Sequence, residues 1–119
     1  MLETPQPLKT DCFRTGPTMK SEEIILQTEN VKVRVLELHP GEIGPWHFHS
    51  EITDTMFGVT GEVVVSMKNP VETVRLRPGD RCTVPPERRH CVGNGLANEP
   101  SKYLLVQGVG TYDFIREDG

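Results

Sequence analysis

Between Glu23 and Ile115 the apolar residues recur at a period near two, in short blocks that end at turn residues. The pattern is plainest in VKVRVLEL at 31–38, EVVVSMK at 62–68 and YLLVQGV at 103–109. Alternate side chains of a strand face opposite sides, whereas a helix repeats its apolar face every three or four residues, so the spacing predicts strands. Further blocks at 24–28, 45–49, 54–59, 71–77, 81–84, 89–92 and 112–115 bring the number of strands to about ten. Between them stand His39-Pro40-Gly41, Thr60-Gly61, Asn69-Pro70, Pro78-Gly79-Asp80, Pro85-Pro86 and Gly93-Asn94-Gly95. In such pairs proline presets φ, and glycine or asparagine accepts the left-handed region. Eleven glycines and ten prolines in 119 residues supply that many turns. Short strands with turns at regular intervals predict an all-β fold, a sandwich or barrel.

Residues 1–20 are polar, carry three prolines and show neither period, which predicts an N-terminal arm ahead of a single domain at 21–119. Gly93–Lys102 reads as the longest loop and Arg116–Gly119 as a charged tail. Thirteen Lys and Arg against seventeen Asp and Glu give a net charge of −4. Nucleic acid and anionic membranes require a basic footprint, so neither is expected as a partner. No apolar run approaches the roughly 20 residues of a spanning helix. The first residues also lack the basic-then-apolar order of a secretion signal. Cys12, Cys82 and Cys91 are odd in number and without CxxC spacing, which fits a reducing compartment and predicts a cytoplasmic location.

Three of the four histidines stand in a pattern with an acid: His47 and His49, then Asp54, then His90. Residues i and i+2 of a strand share a face, so His47 and His49 can aim two imidazoles into one cavity. A third imidazole and a carboxylate from neighbouring strands would complete a ligand ring suited to Mn, Fe, Ni or Zn. Four protein ligands leave open positions on a five- or six-coordinate ion, as catalysis requires.

The flanking residues extend the pattern. Gly41 is followed after five residues by His47-Phe48-His49, after four more by Asp54 and after six more by Gly61. Seventeen residues on, Gly79 opens a second run, with Pro85 after five residues, then His90, then Asn94 after three. This double pattern resembles the two motifs of the cupin superfamily, G(X)5HXH(X)3,4E(X)6G and G(X)5PXG(X)2H(X)3N. The resemblance implies a double-stranded β-helix, or jelly-roll barrel, of the small single-domain kind, with His47, His49, Asp54 and His90 as ligands of a divalent transition metal. Two residues depart from it. Asp54 stands where the family usually has Glu, and Glu87 where the second motif has its second Gly. An Asp carboxylate reaches about 1.5 Å less far than that of Glu. Glu51, four residues after His47, is therefore a rival ligand. Gly41, Gly61 and Gly79 are expected at turns that favour glycine, and Asn94 is expected to close the loop after His90 with its side chain.

Trp46 and Phe48 alternate with the two histidines, and Phe57 and Val59 with Asp54 and Met56, so these four are expected to form apolar surface outside two adjacent strands. A second copy of the chain, making a homodimer, or the arm at 1–20 would cover that surface. Arg88 and Arg89 precede His90 in a loop expected to border the cavity, where an arginine could hold a substrate carboxylate. Arg75 and Arg77 alternate with Val74 and Leu76 and are expected to face solvent. Met56, Met67 and Cys82 are candidate cavity lining, Met56 also a substrate contact. The expected function is that of a metal-dependent enzyme acting on a small, oxygen-chelating organic molecule, of dioxygenase, isomerase, decarboxylase or lyase type. The alternative is a non-catalytic sensor that binds a small molecule in the same cavity.

Overall fold

The computed structural model describes residues 21–117, and the expected arm at 1–20 lies outside them. Ten strands follow in order: β1 (Ser21–Gln27), β2 (Val31–Leu38), β3 (His47–Phe48), β4 (Thr53–Thr60), β5 (Val63–Met67), β6 (Glu72–Leu76), β7 (Arg81–Val84), β8 (His90–Asn94), β9 (Ser101–Gly108) and β10 (Ile115–Arg116). They form two five-stranded antiparallel sheets, β1-β2-β9-β4-β7 and β10-β3-β8-β5-β6. The chain passes repeatedly from one sheet to the other, as in a jelly roll.

Alternation places the core between the sheets. On β2 Leu36 and Leu38 point inward, on β9 Tyr103 and Leu105, on β4 Met56, on β5 Val63, Val65 and Met67, and all are buried. Each such side chain contributes roughly 1.5–3 kcal/mol of apolar burial. Gly41, Gly61 and Gly79 take φ of +70°, +72° and +92° at the turns expected of them. Cys82 and Met67 belong to the core.

Three boundaries differ from expectation. The predicted loop at 93–102 is shorter, because Gly93 and Asn94 pair with Val64 and Val63 and continue β8, while β9 already begins at Ser101. Asn94 closes that loop with its side chain: Nδ2 donates to the carbonyls of His39 and Glu99, at 2.9 and 2.8 Å, and Oδ1 accepts from Leu96 N–H and Ser101 Oγ. The predicted charged tail starts later, since Arg116 pairs with His47 in β10 and Glu117 N–H donates to the Trp46 carbonyl. Trp46, Phe48, Phe57 and Val59 do not form one patch, because β3 and β4 lie in opposite sheets with a crossing at 50–52 between them. Arg89 covers the Phe48 ring at 3.8 Å, and Lys68 stands over Trp46 at 4.3 Å.

Candidate metal centre

One end of the space between the sheets is a cavity of about 300 Å³, whose wall includes His47, His49, Asp54 and Met56. His47 and His49 come from β3 and the residue just past it, and Asp54 crosses from β4 in the facing sheet. His90, directly opposite His47 across the β3–β8 ladder, lies deeper. One nitrogen or oxygen from each of the four falls within 4.8 Å of all the others, and all four residues are buried. Glu51 is not among them. It is exposed, and its carboxylate accepts from Thr111 N–H on the rim.

Main-chain oxygens orient all three imidazoles. Nδ1 of His47 meets the Pro45 carbonyl at 3.0 Å, Nδ1 of His49 the Asp113 carbonyl at 2.6 Å, and Nδ1 of His90 the Arg88 carbonyl at 2.8 Å. A carbonyl only accepts, so each Nδ1 carries the proton and, in the neutral ring, Nε2 carries the lone pair. On His49 and His90 that Nε2 lies 3.1 and 3.0 Å from Asp54 Oδ2. Two acceptor atoms facing each other repel unless a cation or a proton stands between them. Adjacent ligands on an octahedral ion with bonds of about 2.1 Å are themselves about 3.0 Å apart. The donor set therefore fits a divalent transition metal, and the shorter Asp54 reaches the cluster because β4 is pinned between β7 and β9 with its inner face on the cavity.

The charges agree with this. Burial alone would push the Asp54 carboxyl up, but hydrogen bonds from His49 and His90, whose Nε2 bears a proton when no cation stands there, and from Gln107 outweigh it and hold the group well below the usual carboxylate range. Burial lowers His47 to about 4, with the neighbouring His90 and His49 adding to the effect, so it is neutral near pH 7. Burial also opposes charge on His49, yet the Asp54 hydrogen bond and negative charge prevail, and its pKa is raised.

The segment 109–117 covers one side of the site. Phe114 stacks on His47 with centroids 4.1 Å apart, Tyr112 lies 5.7 Å from His49, and the Asp113 carboxylate accepts from the Ser50 N–H and hydroxyl. Neither Arg88 nor Arg89 lines the cavity. Arg88 turns outward to the Lys68 and Pro70 carbonyls and the Glu72 carboxylate, and Arg89 to the Glu87 carbonyl and Phe48. Arg34, Gln107, Tyr112 and Phe114 line it and were not singled out by the sequence reading. For Arg34 and Gln107 a signal exists: each lies two residues from an inward core residue, Leu36 and Leu105.

A cupin domain model matches residues 34–107, more than half of the chain. The chain belongs to the cupins. Among solved structures this cupin resembles a conserved protein with a double-stranded β-helix domain from Klebsiella pneumoniae subsp. pneumoniae, at 25% identity and a TM-score of 0.73, over 88% of this chain and 90% of that one. TT1209 from Thermus thermophilus is 27% identical, with a TM-score of 0.70 over 82% and 90% of the two chains. KdgF from Halomonas sp. shares the fold at 20% identity, with a TM-score of 0.70 over 85% and 87%. No curated protein matches the sequence. Among the described residues of the cupin no helix is long and apolar enough to cross a membrane.

Proposed function

We propose that this cupin is a metal-dependent enzyme that binds one Mn, Fe, Ni or Zn ion through His47, His49, Asp54 and His90 and acts on a small organic molecule that chelates through adjacent oxygens. One observation carries the reading: three imidazoles keep their protons on Nδ1 by hydrogen bonds to main-chain carbonyls, and so free Nε2 for an ion beside a buried, ionised Asp54. A divalent ion in that position supplies Lewis acidity to an oxygen ligand. The chain's own residues do the rest. Asp113 and Ser50 fix the His49 ring, Phe114 shields the face of His47, and Gln107 steadies the Asp54 carboxylate through Oδ1 at 3.0 Å. Two copies pair through the outer face of the β1-β2-β9-β4-β7 sheet in this reading, where Val33, Val35, Leu104, Val106 and Phe57 are half-buried.

Metal analysis after supplying Mn, Fe, Ni and Zn in turn tests it. The wild-type protein is expected to retain about one equivalent of at least one ion, and His47→Ala to lose it. Retention below about a tenth of an equivalent for every ion would sink the proposal. Turnover of a chelating substrate that disappears in His90→Ala would set an enzyme apart from a binding protein.

A further inference from the structure

Besides the four-residue cluster the cavity wall carries, among the described residues, one guanidinium, that of Arg34 on β2. Its side chain is 13% exposed. Nη1 donates to Glu22 Oε2 at 2.8 Å, and Nη2 donates to Gln107 Oε1. Gln107 in turn donates from Nε2 to Asp54 Oδ1, so a single side-chain amide separates Arg34 from the metal-facing carboxylate. A further guanidinium contact is made with the Tyr112 side chain, while Nε–H is buried and meets no acceptor among the described residues.

A purely positioning role for Arg34 accounts for the Gln107 contact and leaves the buried Nε–H unexplained, although burying an unpaired donor is unfavourable. Nε–H and a neighbouring Nη–H form the edge of a guanidinium that takes both oxygens of a carboxylate. The present carboxylate partner is weakly committed. Glu22 sits on the edge strand β1, its side chain is 39% exposed, and exposed ion pairs contribute little. With a divalent ion set against Asp54 and a guanidinium set against Glu22, the cavity keeps a net positive charge.

We propose that Arg34 binds a carboxylate of the small molecule whose other oxygens reach the metal cluster, displacing Glu22 as it enters. The ligand class is then a short hydroxy-, keto- or dicarboxylic acid, and Arg34 is its specificity determinant. This rests on the metal reading above for the other end of the ligand.

Calorimetric titration with malonate and with the uncharged malonamide, on protein with and without bound metal, tests the proposal, and metal content is measured separately on every variant. Malonate is expected to bind at least tenfold more tightly than malonamide. Arg34→Met should lose at least tenfold in malonate affinity while holding the same equivalent of metal. Glu22→Gln should bind malonate several-fold more tightly, a gain that a folding defect cannot produce. Malonate affinity unchanged in Arg34→Met, or no malonate binding to the wild-type protein, overturns the proposal. A wild-type protein that holds no metal overturns the metal reading instead, and the Arg34 dependence of malonate binding without metal still decides this one.

Discussion

Glu87 holds its backbone at φ +73°, in the left-handed region where an L side chain crowds the following carbonyl. That conformation costs about 1–2 kcal/mol for a residue other than glycine. Its N–H donates to the His49 carbonyl at 2.7 Å, tying the second motif to the first beside the cluster. Glu87→Gly is therefore expected to stabilise the fold by about 0.5–1 kcal/mol after the added freedom of the unfolded chain is counted. A rise of about 3 °C in the thermal midpoint with unchanged metal content would bear this out, and a fall would show the turn to be unstrained. The motif spacing marks position 87 as the glycine position, so the departure was legible in the sequence, whereas Pro85-Pro86 suggested a turn stiff enough to accept Glu87 and the positive φ went unread. Asn94 was legible too, because a side chain between two glycines has loop carbonyls within reach. Arg88 and Arg89 misled. Adjacency to His90 along the chain says nothing of the cavity when neighbouring strand residues point to opposite faces, and an arginine is long enough to turn back onto carbonyls.

Strand β2 shows why part of the site stayed hidden at the level of the element. VKVRVLEL offers two faces of comparable apolar weight, three valines on one and two leucines on the other. In the fold Val33 and Val35 face out, while Arg34 shares the inner face with Leu36 and Leu38. The register continues across the sheet, with Val33 opposite Val106, Val35 opposite Leu104 and Leu104 opposite Phe57. These side chains make a half-buried apolar band on the outer face of three neighbouring strands, the size of feature that soluble monomers seldom leave to water. Light scattering is expected to show a dimer, and Val106→Glu to give a monomer with unaltered metal content. A wild-type monomer at every concentration would remove the dimer. The patch expected from Trp46, Phe48, Phe57 and Val59 failed for a topological reason: consecutive strands of a jelly roll often belong to different sheets, and no local pattern records which.

At the scale of the whole molecule the cluster joins the sheets, since His47, His49 and His90 come from one and Asp54 from the other. An ion that binds only the folded chain stabilises it by mass action. Protons compete for the same nitrogens, because ligation needs neutral imidazole and the Asp54 contact raises the His49 pKa. A folded-state pKa raised in this way favours the protonated ring as pH falls, so metal binding must then expel a proton. The gain in thermal midpoint on adding metal is therefore expected to be larger at pH 8 than at pH 5.5, and an equal gain at both would contradict imidazole ligation. The carbonyls that orient the three rings belong to Pro45, Arg88 and Asp113, and a main-chain oxygen is present whatever side chain hangs beside it. Proton placement on the histidines is thus insulated from mutation at those positions. Substitutions elsewhere in the wall, at Arg34 or Tyr112 for instance, can alter the choice of guest without disturbing the nitrogens, so a lineage built on this wiring can diverge in chemistry while its centre stays the same.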